Sequence, residues 1–121
     1  MQLPRNDKVV VLVTCGSRKE ARCIAQALVN KRLAACVTIM EAPVRSVYRW
    51  KEKVQSATEY LLLIKTVRRL LPRARSAVVD LHSYEVPEFI ALPVSAGSPA
   101  YLKWLDDCLA TRAPKPDRGR R

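Results

Sequence analysis

His82 is the only imidazole in the chain, and it opens a loop, His82-Ser-Tyr-Glu-Val-Pro-Glu88, that also carries Tyr84, Glu85 and Glu88. An imidazole with oxygen donors beside it suits a transition-metal ligand, and equally suits a histidine fixed by hydrogen bonds. One imidazole is too few for a multi-histidine site. A metal at His82 therefore needs ligands multiplied or complemented across copies of the chain. The four cysteines, Cys15, Cys23, Cys36 and Cys108, form no C-x-x-C pair and no zinc-ribbon spacing. Each lies in an apolar segment, where a thiol behaves as a small hydrophobe, so free buried cysteines are expected.

A second constellation is Val13-Thr-Cys-Gly-Ser-Arg18, at a strand-to-helix junction. It resembles a thiol phosphatase loop, in which a helix N-terminus holds phosphate and lowers a cysteine pKa. Such a loop needs an arginine six residues after the cysteine, and that position is Ala21, with Arg22 one place late. What survives is a candidate anion site at Ser17 and Arg18. No Walker motif, H-E-x-x-H or G-x-S-x-G occurs. Nothing demands catalysis, and a non-enzyme is expected.

The elements that must position these residues follow from periodicity. Lys8 to Thr14 is a continuous β-branched run, as in a central strand buried on both faces. Ser17-Arg-Lys-Glu20 reads as a capping box, with Ala21, Ile24, Ala25, Leu28 and Val29 giving the helix behind it one apolar stripe. Ala35 to Met40 reads as a second strand. Pro43 marks an edge or bulge before alternation resumes through Trp50. Lys51 to Lys53 is a polar tip, and Thr58 to Thr66 returns as a third strand. Leu70, Leu71, Ala74, Ala77, Val78 and Leu81 form a second helical stripe with Pro72 in its first turn. Phe89 to Val94 is a fourth strand, placed at an edge by Pro93. Ser98 and Pro99 start a last helix faced by Leu102, Leu105 and Leu109.

The order β-α-β-β-α-β-α predicts an α+β fold: a ferredoxin-like βαββαβ sandwich with a long β-hairpin and an extra C-terminal helix. The hairpin arms exceed the usual strand length and would expose sheet edges, for which another copy of the chain is the natural partner. Residues 1–7 read as an N-terminal extension, 8–110 as the domain and 111–121 as a disordered basic tail.

The chain has 121 residues and a formal charge of +11, but that charge is concentrated. Lys65 to Arg75 holds five basic residues and no acid, and the tail holds five basic residues and Asp117. A solubilising tail is the reading that follows, rather than specific nucleic-acid binding. An RNA-recognition module shares this topology, yet its central strands stack bases on aromatics. Here the first strand has none and the third only Tyr60. No signal peptide and no apolar run of membrane-spanning length is present, so no membrane partner and a cytoplasmic location are expected.

Taken together, Arg32-Leu-Ala-Ala-Cys36, Ser46-Val-Tyr-Arg-Trp50, Leu62-Leu-Ile-Lys-Thr66, Leu81 to Glu88, Leu92-Pro-Val94 and Tyr101-Leu-Lys-Trp104 resemble the CutA divalent-cation tolerance family, from about Val9 to Leu109. The resemblance implies a homotrimer similar to the PII signalling proteins, with hairpins pairing between subunits and Tyr48, Trp50 and Tyr84 at the interface. It also implies a role in tolerance of divalent cations, with copper or a similar metal as ligand in interfacial clefts. His82 is then the first candidate ligand, and Glu59, Glu85 and Glu88 are further ones lining the cleft. Two positions depart from the family pattern: Ser83 stands where a proline is usual, and Val13 where a cysteine ligand would fall. The alternative is a PII-like signalling or scaffold trimer whose cleft holds a small anion.

Overall fold

Alternation along the first strand sets the layers. A computed structural model describes residues 6–111. The chain runs β1 (Lys8–Cys15), α1 (Arg18–Asn30), β2 (Cys36–Trp50), β3 (Lys53–Val67), a 3-10 turn (Arg68–Leu70), α2 (Leu71–Leu81), β4 (Ile90–Pro93) and α3 (Pro99–Cys108). The strands form one sheet in the order β2-β3-β1-β4, with every neighbouring pair antiparallel. This is the expected α+β arrangement, and the two outer strands are those that carry Pro43 and Pro93. Both prolines lie where a missing N–H is cheapest. Of the tail expected at 111–121, residues 112–121 lie outside the described residues, as do the first five of the chain.

Val9, Val11, Val13 and Cys15 point from β1 into the core, where they meet Ile24 and Leu28 of α1 and Ala74 and Val78 of α2. The alternate residues, Val10 and Leu12, are only half-buried, so the expectation of a strand buried on both faces fails within one protomer. The reason is architectural. Both α1 and α2 contribute to the core on one face, while register places Val10, Leu12, Leu61, Leu63, Met40, Ile90 and Leu92 together on the other. Met40, Ile90 and Leu92 are more than two-fifths exposed there.

Helix α1 begins at Ser17, whose hydroxyl accepts from the Glu20 N–H at 3.1 Å. The second half of the expected capping box does not form. The Glu20 carboxylate instead accepts from the N–H and hydroxyl of Ser83, at 2.9 and 3.2 Å, and two donors outcompete one. At its other end the helix closes with a Schellman pair, Leu33 N–H to Leu28 C=O and Arg32 N–H to Val29 C=O. Arg32 occupies the left-handed position there, at φ 57°. Val29 is exposed because it lies about a quarter-turn off the stripe centre, and Leu81 because it closes the last turn of α2. Cys23 is likewise exposed, on the solvent side of α1, whereas Cys36 and Cys108 are half-buried and all four thiols are free.

Strands β2 and β3 are each 15 residues long, but β1 covers β3 only from Tyr60 to Val67. The remainder is a two-stranded ribbon that overhangs the domain. It turns at Lys51 and Glu52, whose φ values of 50° and 69° make a two-residue type I′ loop from side chains that disfavour it. Register slips between Met40 and Val44, the irregularity expected around Pro43.

Candidate functional site

The ribbon, the end of β1 and the α2–β4 loop enclose a cleft of about 630 Å³ lined by Thr14, Ser46, Val47, Tyr48, Trp50, Glu59, Tyr84, Glu85, Val86 and Glu88. Each wall has a local cause. Val44 pairs with Glu59 across the ribbon, so alternation puts Ser46, Tyr48 and Trp50 on the same face as that carboxylate. The loop closes over them because Tyr84 reaches across and donates its hydroxyl to Glu59 Oε2 at 2.8 Å. Glu59 is 5% exposed, a carboxylate taken almost wholly out of water.

Carboxylates dominate the electrostatics. Burial and the neighbouring charge of Glu59 raise the Glu88 carboxyl above its ordinary range. Burial, reinforced by the bond to Glu59, raises the Tyr84 phenol strongly, so that hydroxyl keeps its proton and acts as a donor. In a chain of net charge +11, three glutamates converging on one cleft form a local reversal of sign that attracts cations. Their donors are all oxygen, which suits a hard or borderline divalent cation. Within one protomer Glu59, Glu85 and Glu88 do not bring three donor atoms within 4.8 Å of one another. Within one protomer the three carboxylates are thus at most a partial donor set for a divalent ion.

His82 does not line this cleft. It lies behind Thr14, with its side chain fully buried. Its Nε2 is 2.7 Å from the Thr14 carbonyl oxygen, which can only accept, so Nε2 carries the proton and donates. Nδ1 then holds a lone pair and accepts the Tyr84 N–H at 3.1 Å. The rings of His82 and Tyr84 pack with centroids 4.6 Å apart. Glu20 Oε2 approaches Nδ1 to 3.5 Å, and the sulfur of buried Cys15 completes a group whose donor atoms all lie within 4.8 Å. Burial, with the Glu20 and Glu59 charges, pushes the Cys15 thiol up to about 12.

The structure thus brings together Glu59, Glu85, Glu88, Tyr48, Trp50 and Tyr84, and sets His82 in the layer behind them. Tyr48 and Trp50 are 45% and 39% exposed on the ribbon. Ser17 and Arg18 are engaged within the protomer: Ser17 caps α1, and the Arg18 guanidinium lies over the Tyr60 ring at 5.5 Å. Sequence reasoning missed Cys15 and Glu20 as neighbours of His82, and Ser83 as the residue that orients Glu20. Glu20 and Ser83 stand 63 positions apart along the chain, and no local spacing signals their contact.

The family described as CutA1 divalent ion tolerance protein matches residues 9–108. A divalent-cation tolerance protein CutA from Thermus thermophilus is 48% identical over 96 residues, covering 79% of this chain and 92% of that protein. The chloroplastic protein CutA of Arabidopsis thaliana is 46% identical over 97 residues, 80% of this chain but 53% of its own length, so the chain spans about half of that relative. The solved structure of the divalent cation tolerance protein (Cut A1) from Thermus thermophilus is similar with a TM-score of 0.83 at 45% identity, over 85% of this chain and 99% of that one. Among the described residues, no helix is long and apolar enough to cross a membrane.

Proposed function

The chain belongs to the CutA1 divalent ion tolerance protein family, and we propose that it works as a cytoplasmic homotrimer that binds copper or a similar divalent cation in clefts between protomers, without catalysis of its own. One observation carries the reading. A strongly basic chain gathers Glu59, Glu85 and Glu88 in a single cleft beside the overhanging ribbon, as an incomplete set of oxygen donors. A neighbouring copy packed on that ribbon would supply further donors and raise the field on a bound cation. Cu(II) heads the affinity order for divalent ions at oxygen and nitrogen sites, which favours it over other first-row metals.

Assembly has its own support. The ribbon carries Val47 and Val54 at 69% and 66% exposure, along with Tyr48 and Trp50, and a two-stranded ribbon is marginal alone. The sheet face opposite α1 and α2 adds Met40, Ile90 and Leu92. Apolar patches of this kind mark contacts with another protein surface.

The test pairs light-scattering mass with calorimetric Cu(II) titration of wild type and the Glu59→Gln/Glu88→Gln double variant. A three-subunit mass, saturable Cu(II) binding and a loss of most of that affinity in the double variant are expected. A one-subunit mass, or Cu(II) binding indifferent to both glutamates, overturns the reading. Trp50→Ala should weaken assembly, because a buried aromatic anchor carries a disproportionate share of interface energy.

A further inference from the structure

We propose that the Cys15 thiolate, the Glu20 carboxylate and the His82 Nδ1 form a second, buried site for a zinc-class divalent cation, separate from the oxygen-lined cleft. Four features of the group point there. The three donor types, sulfur, oxygen and nitrogen, are those that bind zinc, and their atoms lie within 4.8 Å of one another. Zinc–ligand bonds of about 2.0–2.3 Å place neighbouring ligands of a tetrahedral ion roughly 3.3–3.8 Å apart. Glu20 Oε2 and His82 Nδ1 already stand at 3.5 Å, so the sulfur need close by only a fraction of its present reach.

The ring is also set as a ligand. Nε2–H donates to the Thr14 carbonyl at 2.7 Å, which fixes the tautomer and leaves Nδ1 as the acceptor nitrogen, 3.5 Å from Glu20 Oε2. A backbone carbonyl on the far nitrogen is the usual support of a metal-bound histidine. Glu20 has equivalent support, because the N–H and hydroxyl of Ser83 hold its two oxygens in place.

Charge gives the third and fourth arguments. Nδ1 and the Glu20 carboxylate oxygen, two acceptors 3.5 Å apart, have no proton between them, and a cation there would attract both. A thiolate and a carboxylate with a neutral imidazole sum to two negative charges, so a divalent ion leaves the buried site neutral. Binding forms the metal–sulfur bond and sends the thiol proton to solvent. The donor now on Nδ1 is the Tyr84 N–H, a neutral amide at 3.1 Å, which yields to a doubly charged ion. The Ser83 hydroxyl, 3.2 Å from Glu20 Oε2, is a further oxygen that could turn to the fourth position. Thiolate and imidazole ligands favour zinc-like ions, whereas the acidic groups of the cleft offer oxygen donors alone.

The experiment titrates the full-length, reduced protein with Co(II), which reports thiolate ligation by a sulfur-to-metal charge-transfer band, followed by displacement with Zn(II). One equivalent per subunit should develop the band and Zn(II) should abolish it. Cys15→Ala should lose the band while Cys23, Cys36 and Cys108 remain, and Glu20→Gln should weaken the apparent affinity by about tenfold or more. Glu59→Gln/Glu88→Gln should leave the band unchanged, so failure of the cleft and failure of this site are read separately. Folding of each variant is checked by circular dichroism and solution mass. A band that survives in folded Cys15→Ala, or no band in wild type at saturating Co(II), overturns the proposal. Should Cys15→Ala not fold, an unaltered affinity in Glu20→Gln overturns it equally.

Discussion

Replacing Tyr84 with phenylalanine tests whether one hydrogen bond holds the α2–β4 loop over the cleft. The hydroxyl donates to Glu59 Oε2 at 2.8 Å, and Glu59 is 5% exposed, so water does not simply replace the lost donor. A hydrogen bond to an ionised acceptor contributes about 1.5–3 kcal/mol net. Phenylalanine keeps the ring that packs on His82, so little cavity penalty is added. Tyr84→Phe should therefore lower the unfolding free energy by about 2 kcal/mol at neutral pH. Glu59→Gln keeps an acceptor for the hydroxyl but removes the charge, for a loss of about 1 kcal/mol. The double variant should cost less than the two singles added, by about 1 kcal/mol, since one single removes and the other weakens the same bond. Urea midpoints are compared at one protein concentration and with the slope confirmed unchanged, because the stability of an assembled chain depends on concentration. Single losses below about 0.5 kcal/mol that simply add would refute the reasoning, leaving the loop held by its apolar contacts instead.

Three further outcomes follow from the same geometry. The Glu88 carboxyl, raised by burial and by Glu59, favours its protonated form in the fold, so its stabilising contribution is complete below the usual value of 4.5 and is lost as pH rises through the raised one. Glu88→Gln should match wild type in chemical unfolding at about pH 3 and exceed it at about pH 8, and a constant offset across that range would contradict the shift. The ribbon tip holds Lys51 and Glu52 at positive φ, so Lys51→Asn/Glu52→Gly should stabilise by about 1–2 kcal/mol, read as a higher urea midpoint. At Arg32, φ 57°, alanine and glycine both remove the side chain that donates to the Cys108 carbonyl, so their difference isolates the backbone. Arg32→Gly should be the more stable by about 1 kcal/mol, and equal midpoints would mean that the turn carries no strain.

The contrast between what the chain spells out and what it conceals lies in the range of each interaction. Val9, Val11 and Val13, the stripe from Ala21 to Leu28, and Pro43 and Pro93 on outer strands are local statements, because period and proline chemistry act over a few residues. The half-exposure of Val10 and Leu12 is not local. A β-branched run looks the same whether its second face meets a helix layer, a neighbouring copy or water. The gathering of Tyr48, Trp50, Glu59 and the loop of Tyr84 to Glu88 was legible as a list of residues through family resemblance, while the bond from Tyr84 to Glu59 was not.

Glu20 shows where local logic misleads. Three residues after a serine cap it carries the signature of a capping box, and the serine half forms as that pattern dictates. The reciprocal half competes with every other donor within reach of a four-atom side chain. Once α2 ends at His82, its following residue presents an N–H and a hydroxyl together, and the carboxylate turns to Ser83. That choice brings a carboxylate oxygen to 3.5 Å from the one imidazole in the chain, beside a cysteine buried for reasons of strand alternation. A residue placed for helix capping thus becomes, through one tertiary contact, the carboxylate of the proposed site behind the cleft. The Glu20→Gln variant separates the two roles: the Ser17 cap survives it, because that bond uses the backbone N–H of residue 20, while the Co(II) affinity should fall.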